Sequence, residues 1–310
     1  MRETRPSATA LVIVQSMAFQ GRDPALRGLI PSDAAALWDR FLAAADPARA
    51  RLVRLLAGRR WARALARLGE RLVLPGVQLH YAARKAYLEA AVRQAIAEGV
   101  TQVLVLGAGL DPLALRLHAE FPEVLFVECD HPATQGVKRR VLAGEAAGAN
   151  LQLVELDLAK TRLEETVPAL PGWRANAATV LVAEGLTMYL QAAEVDGLFA
   201  FLREHAGAGS RFAFTFMEPQ RDGRIDFPGA SPFLRTWLRQ VGEPFTWGVR
   251  RAELPDLVAA RGFSLLEMAG ADLLHQRHLA PAGLAGRRLA VGEYVAVAQR
   301  AQNRTTSDPE

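Results

Sequence analysis

A glycine turn and a set of carboxylates provide the residue types that hold a small cofactor. Gly107-Ala108-Gly109 follows an apolar run at 102–106, and acidic residues follow or end three later apolar runs: Glu128, Asp130, Asp157 and Glu184. Glycine lets the backbone turn tightly and approach a ligand closely. Carboxylates at the ends of parallel strands accept hydrogen bonds from a ligand or face a positive charge. The pattern therefore predicts a cofactor site at one edge of a sheet.

The residue at position 112 indicates which cofactor fits the turn. A dinucleotide fingerprint would place a third glycine there, but this chain has Pro112, preceded by Asp111. Proline removes an amide donor, and a neighbouring carboxylate is unsuited to a pyrophosphate. A cofactor that carries a cation and no phosphate fits better, which favours S-adenosylmethionine over NAD. A purely structural glycine turn is the alternative.

Each acidic position has a candidate role. Glu128 and Asp130 lie about 20 residues beyond the glycines, where a carboxylate accepts the ribose hydroxyls, although Asp130 would also suit a helix cap. Asp157 could accept from the adenine amino group beside the Leu158 backbone, or could equally cap a helix. Glu184 should end a central strand and face an ammonium or sulfonium group.

Two further residues are candidates for the reaction itself. In HYAARKAYLEAAV, helical spacing places His80, Arg84 and Tyr87 near one face, and Arg84 could bind a carboxylate through two hydrogen bonds. The alternative is that Arg84 is one more solvated arginine. Tyr189 follows Glu184 closely and is either a site residue or a core aromatic.

The elements that must position these residues indicate an α/β fold. Residues 1–80 are rich in Ala, Leu and Arg and predict a helical cap, with Asp33 capping one helix and a later helix over 81–98. From 101, apolar strands alternate with helices, which predicts a parallel sheet. The segments 263–270 and 291–299 lack a crossover helix, so they should form an antiparallel end. We therefore expect a domain over 81–300, with an insertion near 219–250 that shapes an acceptor pocket, and a flexible tail at 301–310.

Composition limits the remaining possibilities. The chain has 310 residues, a formal charge of +4 and a single cysteine, Cys129, so no disulfide forms within it. The histidines lack metal-binding spacing, and we expect no metal. No apolar run is long enough to span a membrane, and the N-terminus lacks a clear cleavage site, so a cytoplasmic protein is expected.

The excess of positive charge is concentrated between residues 49 and 93, where Glu70 and Glu89 are the only acids. Such a segment could bind nucleic acid or an anionic membrane. Arginines spaced three or four apart instead favour the solvated face of an amphipathic helix. We therefore expect neither nucleic acid nor membrane as a partner, and the oligomeric state is left open.

In combination, these segments resemble the leucine carboxyl methyltransferase family and its bacterial relatives, which are class I S-adenosylmethionine-dependent O-methyltransferases. The resemblance covers nearly the whole chain and is carried by Arg84, Gly107 to Asp111, Glu128 to Pro132, Asp157-Leu158 and Glu184-Gly185. It implies a Rossmann-like sheet with a reversed final strand. It also implies that Arg84 grips the methionine carboxylate, Gly107 lines the cofactor and Asp130 holds the ribose. Asp157 and Leu158 would then hold the adenine, and Glu184 would face the methionine end.

The chain departs from the family pattern at two positions where threonine is usual, Lys85 and Pro112. It also lacks the N-terminal lysine of the eukaryotic phosphatase methylators, which favours a small-molecule acid as the acceptor. A carboxylate needs no general base, whereas a phenol would need one, with His80 or His131 as candidates. The alternatives are a phenol or hydroxyl O-methyltransferase of secondary metabolism, a nicotinamide oxidoreductase and a non-catalytic cofactor-binding protein.

Overall fold

The computed structural model describes residues 6–143, 148–158 and 160–301. Within them, seven strands form one sheet in the order β3-β2-β1-β4-β5-β7-β6. The strands are β1 Gln102–Leu106, β2 Leu125–Asp130, β3 Leu151–Glu155, β4 Thr179–Ala183, β5 Arg211–Met217, β6 Phe263–Ala269 and β7 Glu293–Arg300. Strands β1 to β5 pair in parallel, whereas β7 is antiparallel to both β5 and β6. The predicted α/β fold with a reversed final strand is confirmed.

Helices cover both faces of this sheet. Their bounds are α1 Ala8–Gln20, α2 Ser32–Ala45, α3 Pro47–Leu56, α4 Arg60–Val73, α5 Val77–Ala97, α6 Leu113–Glu120, α7 Pro132–Leu142, α8 Leu163–Thr166, α9 Ala192–His205, α10 Pro232–Val241, α11 Leu254–Ala259 and α12 Ala271–Leu274. Within the ranges the structure describes, no helix is both long enough and apolar enough to cross a bilayer.

Strand β1 is buried along its whole length and divides the core into two parts. Its side chains alternate between the two faces, as strand geometry requires. Val103 and Val105 pack with the N-terminal helices, whereas Leu104 and Leu106 pack against the aromatic cluster around Phe199. Burial on both faces explains why the strand is a continuous apolar run.

The N-terminal helices share the first of these clusters, since Phe41 and Val92 pack with Val103. Helix α5 begins at Val77, four residues before the predicted start, because Gly76 adopts a left-handed conformation (φ 81°) that ends the preceding turn. The predicted division at residue 80 therefore falls inside a helix.

Three other expectations need comment. Asp33 does not cap α2, because Pro31 occupies the cap position and Asp33 lies in the first turn, paired with Arg116. The residue pattern over 133–147 predicts a helix after β2, where the structure has α7, and residues 144–147 lie outside the described ones. The same holds for the tail predicted at 301–310, apart from Ala301.

Candidate functional site

The glycine turn lies at the ends of β1 and β2. Gly107 and Gly109 have φ values of 60° and 55°, which side chains with a Cβ rarely adopt. The Gly109 amide donates to Asp130 Oδ2 at 2.6 Å, and the His131 amide donates to Asp130 Oδ1 at 2.6 Å. Burial raises the pKa of Asp130, and these hydrogen bonds oppose the increase. Asp130 is therefore held at the edge of the sheet, beside the turn.

Asp111 links the turn to helix α6. Its Oδ1 atom accepts from the Leu113 amide at 2.9 Å, although Pro112 and not Asp111 occupies the N-cap position of the helix. Its Oδ2 atom accepts from Lys85 on α5. Burial by itself would raise the pKa of Asp111, but the charge of Lys85 and its hydrogen bond lower it. Asp111 is therefore an anion at the start of α6.

Glu184, just beyond β4, is contacted by two cations of α5. Lys85 Nζ lies 3.0 and 3.1 Å from its two oxygens. Arg84 donates to Glu184 Oε1 from Nε at 2.9 Å, and Nη2 lies 2.8 Å from the same atom. The structure thus brings together Arg84 and Glu184, which the sequence predicted separately. It adds Lys85, which the sequence marked only as a departure from the family pattern.

The other side of the Arg84 guanidinium is bound by Glu293 at the start of β7. Nη1 lies 2.7 and 2.8 Å from the two carboxylate oxygens, and Arg84 is only 4% exposed. His80 Nε2 lies 2.8 Å from Glu293 Oε2. Burial by itself would raise the pKa of Glu293, but Arg84 and His80 lower it to about 2.

Sequence reasoning missed Glu293. The available signal was a single acid at the start of an otherwise apolar strand. Its importance depends on pairing with Met217 of β5, which places it near α5. The pairing of β7 with β5 is a tertiary feature that the residues next to Glu293 in sequence do not reveal.

The charges of this cluster do not cancel. Two permanent cations, Arg84 and Lys85, are in contact with three carboxylates, Asp111, Glu184 and Glu293. The cluster of these five side chains therefore carries a formal excess of one negative charge. Such an excess favours a cationic ligand.

Glu128 is the other acid of β2, and its predicted contact with a ribose hydroxyl remains a prediction. It is fully buried, and its Oε2 accepts from Lys138 Nζ at 2.6 Å. It lies two residues inside β2, where α7 covers it, whereas Asp130 ends the strand. Burial raises the pKa of Glu128 despite the charge of Lys138. Glu128 therefore joins β2 to α7 inside the core.

The predicted adenine residues lie beyond β3. Asp157 is partly exposed, with one carboxylate oxygen 3.9 Å from His131 Nε2. Leu158 is partly buried against the apolar cluster on the second face of the sheet. These residues are near the end of β2, as a site along the carboxyl edge requires, and their contact with adenine remains a prediction.

Tyr189 lies on a short 3₁₀ turn after β4, with its ring 5.4 Å from that of Phe245. The adjoining Thr246 amide donates to Met188 O at 2.7 Å. Burial raises the pKa of Tyr189, so its hydroxyl stays protonated at neutral pH.

Two segments far apart in sequence meet beside this turn. Glu243 accepts from the amides of Ala8 and Thr9 at 3.1 and 3.0 Å. The N-terminal helix and the insertion at 219–250 are thereby joined near Tyr189. Tyr87 lies elsewhere, since its hydroxyl donates to Glu267 on β6.

A family model described as leucine carboxyl methyltransferase matches residues 16–203, which is more than half of the chain. The chain belongs to the leucine carboxyl methyltransferase family. Its two departures from the family pattern lie together, because Lys85 bonds to Asp111, the neighbour of Pro112.

Two similar proteins come from Mycobacterium and from Streptomyces avermitilis. A Mycobacterium protein is 34% identical over 188 residues, covering 59% of this chain and 65% of its own length. A Streptomyces avermitilis protein is 32% identical over 172 residues, covering 53% and 58% respectively. Both are provisionally named S-adenosyl-L-methionine-dependent methyltransferases. The chain thus matches somewhat less than two thirds of the length of these relatives.

Two solved structures share the fold. A provisionally named methyltransferase from Thermobifida fusca aligns with a TM-score of 0.55 at 18% identity, covering 85% of this chain and 94% of its own. A DUF574 family protein from Streptomyces avermitilis aligns with a TM-score of 0.52 at 20% identity, covering 79% and 90%. At this identity the likeness concerns the fold alone.

Proposed function

We propose that this protein transfers a methyl group from S-adenosylmethionine to an oxygen atom of a small-molecule carboxylate. The observation that carries the proposal is the excess of carboxylates over cations in the cluster around Arg84 and Lys85, because it suits a ligand with a sulfonium and an ammonium group. Membership of the leucine carboxyl methyltransferase family supports the broader assignment to methyl transfer.

The residues present fit this cofactor. Gly107 and Gly109 have no Cβ and turn the backbone tightly, and Asp130 is fixed at the end of β2 with its oxygens oriented by two amides. The residues that would hold the cofactor are Arg84, Gly107, Ala108, Gly109, Asp130, Asp157, Leu158 and Glu184. When bound, the sulfonium supplies a methyl group that an acceptor oxygen can attack.

Arg84 contacts two carboxylates of the protein and has few donors left for a ligand. A guanidinium has five N–H donors, and contacts with Glu184 and Glu293 engage Nε, Nη1 and one side of Nη2. At most one Nη2 hydrogen is left for the methionine carboxylate. Arg84 would therefore mainly hold Glu184 in place and neutralise Glu293, with one hydrogen bond for the ligand.

The histidines favour an acceptor that is already ionised. His80 is completely buried and bound to Glu293, so it cannot reach an acceptor. His131 Nδ1 accepts from the Ala133 amide, which uses that nitrogen as a helix cap. A phenol would require a base for its proton, whereas a carboxylate requires none. Burial also raises the pKa of the Cys129 thiol to about 12, which removes it as a nucleophile at neutral pH.

Calorimetry and a methyl-transfer assay test the proposal. We expect S-adenosylmethionine and S-adenosylhomocysteine to bind and NADH not to bind. With isotopically labelled methyl donor, a panel of carboxylic acids should be labelled and matched phenols should not. Labelled phenols without labelled acids would overturn the carboxylate assignment, and cofactor binding with no transfer to either panel would favour a non-catalytic binding protein.

A substitution at Glu184 tests whether its negative charge helps to bind the cofactor. Glu184→Gln should weaken binding of cationic S-adenosylmethionine by about tenfold more than binding of the uncharged-sulfur product S-adenosylhomocysteine. Glu204→Gln, on the exposed end of α9, is the matched control and should change neither affinity. Equal losses for both ligands would contradict the role of Glu184 in recognising the positive charge.

A further inference from the structure

Helix α4 exposes a row of large apolar side chains, whereas two of its polar side chains, Arg63 and Glu70, contact the body of the protein. Trp61, Leu65, Leu68 and Leu72 are 55%, 59%, 52% and 71% exposed. Their spacing of four, three and four residues places them on one side of the helix. We call these four residues the α4 stripe. Single exposed leucines are common on proteins, but a continuous stripe marks a surface that contacts something else.

The inner face of α4 explains why the stripe points outward. Arg63 donates to Ala57 O at 2.8 Å and lies 3.7 Å from Asp23. Glu70 accepts from the Gln78 amide at 3.0 Å. These polar contacts, together with the small side chain of Ala62, which is buried, attach the helix to the body. The orientation is therefore fixed by specific bonds and leaves the stripe on the surface.

Positive charge accompanies the stripe. Residues 47–73 contain eight arginines and a single acidic residue, Glu70, which faces inward. Arg51, Arg59, Arg60 and Arg71 are exposed. The surface thus combines leucines and a tryptophan with arginines, which is the composition of helices that lie in the interface of a membrane.

Contrary to the expectation from the sequence that no membrane is a partner, we infer that α4 docks the protein on an anionic lipid surface, with the stripe among the acyl chains and the arginines at the headgroups. The stripe runs over twelve residues, about 16 Å of helix, parallel to such a surface. A second copy of the chain is a poorer occupant, because pairing two stripes would bring two arginine-rich segments together. A nucleic acid would match the arginines but would leave the leucines in water.

Co-flotation of the full-length protein with lipid vesicles tests this inference. We expect binding to vesicles of phosphatidylcholine and phosphatidylglycerol in equal parts, little binding to phosphatidylcholine alone, and weaker binding as salt increases. The absence of binding to anionic vesicles would overturn the inference. So would binding that is independent of lipid charge.

Variants identify the surface. The double variant Leu65→Ser with Leu68→Ser should lower the partition coefficient by about one hundredfold, since each buried leucine contributes about tenfold. Arg60→Gln with Arg71→Gln should lower it by about fivefold per charge on anionic vesicles only. Leu266→Ser removes a comparably exposed leucine on β6 and is the matched control, with no expected change. Equal binding by the leucine double variant would overturn the assignment to α4.

Two further measurements separate the other occupants. Trp61 fluorescence should shift to the blue on vesicle binding, and Trp61→Phe should remove that shift while the protein still floats with the vesicles. Sedimentation equilibrium addresses self-association. A dimer that the leucine double variant dissociates, combined with no vesicle binding, would instead identify the stripe as a subunit interface and overturn the inference. Binding to mixed-sequence DNA in place of anionic vesicles would overturn it as well.

Discussion

Helix α4 carries a series of arginines, and helix α5, which follows it after Gly76, carries Arg84 and Lys85. The cations of α5 lie against the sheet, where carboxylates from α6 and the ends of β4 and β7 contact them. Two of the four α4 arginines, Arg60 and Arg71, are exposed. In α5 the positive charge organises a buried site, whereas in α4 it accompanies an exposed apolar stripe. The residue type is the same, and the tertiary partners determine what it does.

Arg84→Ala should produce the largest effect. Removing Arg84 leaves Glu184 and Glu293 without their principal cation, and breaking a buried ion pair costs about 3–5 kcal/mol of unfolding free energy. Urea unfolding measures the loss, with Arg71→Ala on α4 as the matched control. If both variants lose the same unfolding free energy, the arginines of α4 and α5 do not differ in their contribution to the fold.

Lowering the pH should destabilise the protein through the same ion-pair cluster around Arg84. Glu293 has a folded-state pKa of about 2 against an ordinary value of 4.5. Its contribution is therefore fully present above about pH 4.5 and is lost as the pH falls towards 2. Integrated over this window it amounts to about 3 kcal/mol.

Glu293→Gln should lack that part of the pH dependence, which stability curves between pH 5 and pH 2 would detect. Glu128 acts in the opposite direction, since its raised pKa means that the folded state loses stability as the pH rises through it. An unchanged acid limb in Glu293→Gln would show that Arg84 and His80 do not hold Glu293 as an anion.

Lys85→Thr tests how the second cation of α5 differs from Arg84. Lys85 is less buried than Arg84 and contacts Asp111 and Glu184. Its removal increases the negative charge beside the glycine turn, so the preference for S-adenosylmethionine over S-adenosylhomocysteine should rise by about fivefold. Calorimetric affinities for the two ligands give this ratio. A fall in the ratio would mean that Lys85 itself binds the ligand.

The smallest effect on folding should come from the α4 stripe. Leu68→Ser should change the unfolding free energy by less than about 0.5 kcal/mol, because the side chain is already exposed. Leu88→Ala, at a fully buried position of α5, should cost about 2–5 kcal/mol. A large loss for Leu68→Ser would indicate that the stripe is packed within the protein.

The parts of the site that sequence could predict are local. Gly107 and Gly109 follow an apolar strand directly, and Asp130 and Glu184 end or follow the next strands, so their common edge follows from a parallel sheet. Glu128 lies on the same face of β2 as Asp130. It is nevertheless buried, because α7 covers this part of β2 and places Lys138 against Glu128. Alternation along a strand predicts the face of a side chain, and it does not predict how far the covering helix extends.

The sequence by itself determined the α/β fold, the reversed final strand and the family, because these depend on periodicity and on short motifs. Tertiary structure alone decided the partners of Arg84 and Lys85, since Glu293 is more than 200 residues away and only the β5–β7 pairing brings it close. It also decided that α4 faces outward with its leucines. The amphipathic pattern defines two faces of a helix, and contacts made elsewhere in the fold select which of them is buried.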